Sequence, residues 1–218
     1  MPTPPGYRVT ETLYESLTTR VHRAVRESDG RPVVLKVLAG GYHSVREAAR
    51  YQREYDRLRH LADVPGVVNV HGLLSGPRSL TLVLEDVRAP SLDTVLSDGP
   101  LTPTAALSVV RELTTILAEI HEAGVIHCAI SPENILYGPA EDSRSATVRL
   151  IDFGLARHDT GTPPDLERVP ASYVAPETTG RMDRPVDRRA DLYSVGAVFY
   201  ELLTGQPPFS ADDRWGLV

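Results

Sequence analysis

A chain of 218 residues with 41% hydrophobic content can build one sizeable core or two small lobes, which excludes a disulfide-stapled peptide and a disordered tail. Its single cysteine, Cys128, has no partner for an internal disulfide, so a reducing, cytoplasmic setting is expected. The N-terminal run MPTPPGYRVT lacks the basic start and apolar stretch of a secretory signal, no later segment approaches the ~20 apolar residues of a membrane span, and a net charge of −6 argues against a general nucleic-acid binder.

In chain order, Leu13 to Val25, a turn at Glu27-Ser28-Asp29-Gly30 and Pro32 to Leu38 predict a hairpin of β-branched and aliphatic strands. Gly40-Gly41 breaks it, and Ser44 is placed to cap a helix from Val45 to about His60. Leu61 to Leu74 and Ser79 to Val87 predict two more strands, so this part is a small sheet carrying one helix. From Thr102 the period becomes helical: Thr102 caps, Pro103 fills the first turn, and Ala106, Val109, Leu113, Ile116, Leu117 and Ile120 recur until Gly124 ends the run. Short strands are expected at Val125–His127, Ile135–Tyr137 and Val148–Ile151, then a polar segment with Pro163, Pro164 and Pro170, then a helix from Arg188 to Leu203. The expected division is residues 1–87 and 88–218.

One feature of the charge is uneven. The 23 cationic residues are 22 arginines and a single lysine, Lys36. Lysine is a compact point charge on a flexible stem and arginine a rigid planar fork, so a site that needs the lysine geometry resists replacement.

Val33-Val34-Leu35-Lys36 is followed in order by His127-Cys128-Ala129-Ile130-Ser131-Pro132-Glu133-Asn134, by Asp152-Phe153-Gly154 and by Ala175-Pro176-Glu177. Four such segments at fitting separations resemble the protein kinase family over nearly the whole chain. The resemblance implies an α+β, two-lobed protein kinase-like fold, with a small β-sheet N-lobe at 1–87 and a mainly helical C-lobe at 88–218. Thr179 to Arg184 and Asp191 to Gly196 are more narrowly similar to kinase-like domains at the front of very long bacterial signalling proteins. There, ATPase and sensor histidine kinase modules follow in the same polypeptide.

Carried over by position, the resemblance implies that Lys36 holds the α- and β-phosphates of ATP and that Glu54 ion-pairs with it. Asp152 and Asn134 would bind Mg²⁺. The chemistry is coherent: a triphosphate needs a cation on a rigid strand, and its divalent metal needs hard oxygen ligands. Val21 keeps the expected distance to Lys36, Val34 stands over adenine where the family has a smaller residue, and backbone groups of Glu85 and Val87 would bond the base. Phe153, His127, Leu58 and Val70 match a stack of four apolar side chains, with Asp191 as its anchor. His127 is therefore read as packed core rather than as a base or metal ligand, since no second His or Cys lies at ligand spacing.

The departures fall where phosphate would be transferred. Ala129 replaces the aspartate that takes or orients the substrate proton, Ser131 the lysine that neutralises the γ-phosphate, and Pro170 the threonine that bonds both. A positioned base is worth about 10² to 10⁴ in rate. Cys128 replaces the arginine that receives an activation-loop phosphate. The stretch Tyr14 to Val21 has no glycine where the family has a glycine-rich phosphate loop, and Glu15 adds a negative charge there. No P-loop sequence is present.

The family's domains continue beyond the helix at 188–203, so an incomplete C-lobe is expected, with Glu177 lacking its usual arginine partner. The expected function is a regulatory or scaffolding pseudokinase module that binds ATP with Mg²⁺, whose partners are ATP and either downstream modules or a separate protein, not nucleic acid or membrane. Two alternatives stay open: a Ser/Thr protein kinase with weak or atypical transfer, and a protein-interaction domain that binds no nucleotide.

Overall fold

The computed structural model describes residues 4–38, 45–76, 79–138, 147–158, 169–179 and 185–209. The chain divides into two compact units, Met1–Asp63 with Val68–Arg88, and Val64–Val67 with Ala89–Val218.

The first unit is a five-stranded antiparallel sheet with one helix. Its strands are β1 (Tyr7–Glu15), β2 (Thr19–Arg26), β3 (Pro32–Leu38), β4 (Val70–Gly76) and β5 (Ser79–Glu85), in the order β1-β2-β3-β5-β4. Alternation along β3 sorts its side chains between two faces. Val33, Leu35 and Val37 join Ala24 and Val83 in a buried cluster, and Val34 and Lys36 take the other face. The single strand expected from Leu13 to Val25 is two strands, and β1 begins earlier, at Tyr7. The cause is a turn at Ser16–Thr18 that is closed by a serine side chain and carries no glycine signal. The strand expected from Leu61 starts only at Val70. Leu61 still donates its N–H to the Arg57 carbonyl at 2.9 Å, continuing the preceding helical turn.

Helix α1 (Val45–His60) turns Tyr51, Glu54 and Leu58 inward, spaced by three and four residues as one helix face requires. The expected cap at Ser44 and the break at Gly40-Gly41 lie outside the described residues, as do Pro163 and Pro164.

The second unit is mainly helical. Helix α2 (Leu92–Leu96) was not expected; it is a five-residue piece capped by Ser91, whose Oγ accepts the Thr94 N–H at 3.3 Å. Helix α3 (Pro103–Glu122) begins at Thr102, whose Oγ1 accepts the Ala105 N–H at 3.3 Å, and stops before Gly124 at φ 73°. Its apolar stripe is buried as the period predicted, each large side chain contributing about 1.5–3 kcal/mol. Gly66 packs against this helix so closely that a Cβ would lie 2.4 Å from the Ile116 side chain. Two small ladders follow, β6 (Val125–Ile126) with β9 (Arg157–His158) and β7 (Ile135–Gly138) with β8 (Thr147–Leu150). Helix α4 (Arg189–Thr204) buries Asp191, Ser194, Val195, Val198 and Leu202 and ends at Gly205. The architecture is the expected α+β one. No helix among the described residues is long and apolar enough to cross a membrane.

Candidate functional site

In the first unit, the β2–β3 register sets Val21 opposite Lys36 and Arg23 opposite Val34. Antiparallel partners point to the same side, so these four residues share the sheet face turned away from the buried cluster. Lys36 Nζ donates to both carboxylate oxygens of Glu54, at 2.8 and 3.0 Å, with side chains 10% and 1% exposed. The ammonium also lies 5.9 Å from the centre of the Tyr51 ring. Burial pushes the Tyr51 phenol up, and its O–H reaches Thr19 Oγ1 at 3.4 Å. Lys36 is thus held by a carboxylate and an aromatic face, a fixed cation suited to meeting an anion.

The end of β5 is fixed as firmly. The Glu85 N–H bonds the Asn69 carbonyl at 2.9 Å, and the Glu85 carboxylate takes the Asn69 side-chain N–H at 3.0 Å. Asp86 accepts from Arg23 Nε at 3.2 Å and from the Arg88 N–H at 3.2 Å, and Arg88 takes a left-handed φ of 55°. Val87 between them is half-buried.

In the second unit, the segment from His127 to Asn134 is tied down mainly through its backbone. Asp191, 1% exposed, accepts the N–H groups of His127 at 2.9 Å and Cys128 at 2.8 Å, and His121 Nε2 lies 2.9 Å from the same carboxylate. His127 is fully buried, and that burial pushes its imidazole below the usual range. In the neutral ring, Nε2–H donates to the Ile151 carbonyl at 3.1 Å while Nδ1 accepts the Ala129 N–H at 3.2 Å. Phe153 meets it edge-on at 4.6 Å. This is packed core, as expected for His127.

Ala129 is 6% exposed and presents a methyl group, and its carbonyl accepts Asn134 Nδ2 at 2.9 Å. That bond turns the Asn134 amide oxygen the other way, the orientation a metal ligand needs. Ser131 is 1% exposed, and its hydroxyl has no hydrogen-bond partner. Asp152 has φ 60°, and its Oδ1 accepts the Gly154 N–H at 3.1 Å. Pro170 opens a short 3-10 turn, its carbonyl taking the Tyr173 N–H at 3.1 Å. Among the described residues no group of three or more His, Cys, Asp or Glu could hold a metal alone. One carboxylate and one amide fit Mg²⁺, which fills its shell with phosphate and water oxygens.

The family model described as protein kinase domain matches residues 7–216. The chain belongs to the protein kinase family. Among its relatives, serine/threonine-protein kinase pkn2 of Myxococcus xanthus is 33% identical over 210 residues, covering 93% of this chain and 25% of the relative. Serine/threonine-protein kinase PknL of Mycobacterium tuberculosis is 33% identical over 211 residues, 94% and 51% respectively. Ribosomal protein S6 kinase alpha-4 of Homo sapiens is 34% identical over 199 residues, 89% and 25%. The chain spans about a quarter to a half of the length of these curated relatives.

Within this kinase domain the sequence named Lys36 and Glu54, which meet, and Asn134 and Ala129, which are bonded. It missed Asn69 as the clasp on Glu85, Tyr51 beside Lys36 and His121 on Asp191. Each partner of that kind lies 16, 15 or 70 residues away, and no local signal links them. The buried Tyr173, whose O–H bonds Glu201 at 2.5 Å, was missed for the same reason.

Proposed function

We propose that this kinase domain is a nucleotide-binding regulatory or scaffolding pseudokinase module. Lys36 holds the phosphates of ATP, Val21 and Val34 flank the base, and the Glu85 carbonyl and the Val87 backbone bond it. Asp152 and Asn134 hold Mg²⁺. The lobes of this reading are residues 1–87 and 88–218. ATP with Mg²⁺ is an effector here, setting which surface is shown to an adjoining module or a protein partner in cytoplasmic signalling.

The observation that carries the reading is a buried Lys36–Glu54 pair in the first unit of a chain whose second unit bears Ala129 and Ser131 in the loop from His127 to Asn134. A buried ion pair is weak support for stability, so its retention speaks for a ligand. A methyl group moves no proton. A slow Ser/Thr kinase is the second reading, supported by Asn134 and by the intact backbone ties to Asp191.

The test is a thermal-shift titration of the full-length protein with ATP, with and without Mg²⁺, alongside transfer of labelled phosphate from ATP to protein substrates. Metal-dependent stabilisation without transfer is expected. Transfer at a rate ordinary for kinases, about 1–100 s⁻¹, would overturn the pseudokinase reading. No stabilisation at saturating ATP would overturn nucleotide binding.

A further inference from the structure

The β1–β2 turn stands where kinases cover nucleotide phosphates with a flexible, glycine-rich loop whose N–H groups face the anion. In this chain that turn is closed on itself. The Ser16 N–H donates to the Thr19 carbonyl at 2.8 Å, and the Ser16 hydroxyl donates to the same carbonyl at 3.1 Å. Ser16 Oγ in turn accepts the Thr19 N–H at 3.0 Å and the Thr18 N–H at 3.4 Å. Three N–H groups of the turn are therefore satisfied inside it.

Its surroundings reinforce the closure. Glu15 and Arg20, paired across the hairpin, form an ion pair at 2.7 Å, so the carboxylate that the sequence placed here as a repulsive charge is neutralised by its neighbour. Thr19 is buried, and its hydroxyl receives the Tyr51 O–H. Leu17 at the tip is 96% exposed. Unlike glycine, the residues of this turn carry Cβ atoms that restrict the backbone from opening around an anion.

We propose that Ser16 Oγ occupies the turn's N–H groups in the place of a phosphate oxygen, so that the turn binds no phosphate and the site does not distinguish ATP from ADP by their terminal phosphate. This rests on the nucleotide-binding reading above. Ser16 is a positioning residue: it acts through the backbone of Thr18 and Thr19. The phosphate cation of the first unit is then Lys36, reaching the part of the chain that ATP and ADP share.

The experiment uses the full-length protein, Ser16→Ala and Ser16→Gly, with two readouts. Amide hydrogen exchange at Thr18 and Thr19 is measured first, with no nucleotide. Slow exchange in the wild type and exchange about tenfold faster in Ser16→Ala is expected, since each of the two amides loses its bond to Oγ. Unchanged exchange would overturn the proposal whatever the nucleotide does. Affinities for ATP and ADP are then compared in the presence of a chelator, so that metal does not favour the triphosphate. Wild-type values within about threefold of each other are expected, and Ser16→Gly should tighten ATP over ADP by about tenfold, the order of one hydrogen bond to a charged oxygen. A wild type that already prefers ATP by about tenfold would overturn the proposal. Where binding needs metal, the same comparison is made at saturating Mg²⁺; if no variant binds either nucleotide with Mg²⁺ present, the nucleotide-binding reading fails, and with it the part of the proposal that concerns ATP and ADP.

Discussion

Around Lys36 the first unit holds a buried cation paired with a carboxylate, whereas around Ala129 the second unit holds a loop tied down through its backbone, with no charge at Ala129 or Ser131. Lys36 and Glu54 are paired, buried and braced by Tyr51. The loop from His127 to Asn134 is anchored just as closely, by Asp191, by the Ile151 carbonyl and by Asn134, yet the side chains at Ala129 and Ser131 are a methyl group and an unpartnered hydroxyl. Backbone strain follows the scaffold. The three non-glycine residues with positive φ among the described residues are Arg88 after β5, Cys128 in the loop and Asp152 before Phe153, at a cost of about 1–2 kcal/mol each. The difference teaches that the shape of this loop is set by groups behind it, independently of the side chains in front.

The comparison is tested most severely at Asp191. Asp191→Ala removes the acceptor of two buried N–H groups and of His121, and should cost about 4 kcal/mol in urea unfolding. Asp191→Asn keeps one acceptor oxygen and should cost about half as much. A cost below about 1 kcal/mol for Asp191→Ala would mean that the loop is not held from behind.

Next in size is Lys36. Lys36→Ala leaves the Glu54 carboxylate buried without its ammonium and should destabilise by about 3 kcal/mol. The double variant Lys36→Met, Glu54→Leu should return to within about 1 kcal/mol of wild type, because a buried ion pair and an apolar pair of similar volume are near equal in stability. That variant should still lose any thermal shift with ATP. Retention of the shift would remove Lys36 from the phosphate site.

How much of this was legible follows the range of the interactions. Helices α1 and α3 were read to their ends, because a run such as Val109, Leu113, Ile116, Leu117 and Ile120 reports its period within itself. The β1–β2 turn was not, because turn signals rest on glycine, and here a serine hydroxyl closes it. Helix α2 was missed because five residues are too few to show a period. Of the residues singled out from the family resemblance, Lys36 and Glu54 meet in the first unit, and Asn134 bonds Ala129 in the second. The clasp of Asn69 on Glu85, the Arg23 bond to Asp86 and the role of His121 exist only once distant segments meet.

A pH titration sharpens the contrast at intermediate size. In the folded state burial depresses the His127 imidazole below its usual value of about 6.5, so the unfolded chain binds a proton there first. Stability contributed by the neutral ring is present above about pH 6.5 and is lost as pH falls below it, by up to about 1.4 kcal/mol per pH unit. His71 is depressed in the same direction and, being more exposed, adds less. Unfolding measured from pH 7.5 to 5.5 should show this slope, and His127→Phe should flatten it. An unchanged slope in that variant would mean that the buried imidazole is not its source.

Ala129→Asp addresses the reacting positions directly. A carboxylate alone should raise phosphate transfer by less than about tenfold, because Ser131 and Pro170 still lack the groups that work with it, and residues acting as one unit are not additive. A gain of about 10² or more would show that the loss is confined to a single side chain.

The smallest effect is expected at Ser131, where the two units differ most sharply in how they treat a buried polar group. Glu54 and Ser131 are each 1% exposed, but Glu54 has two bonds from Lys36 and the Ser131 hydroxyl has none. A buried hydroxyl that makes no hydrogen bond is desolvated without return, so removing it leaves stability unchanged or raises it. Ser131→Ala should therefore stabilise by up to about 1 kcal/mol in urea unfolding, while leaving nucleotide affinity as it was. Destabilisation by more than about 1 kcal/mol would give the hydroxyl a bonded role, and the catalytic loop would then hold a working polar group at the position where the family has its lysine.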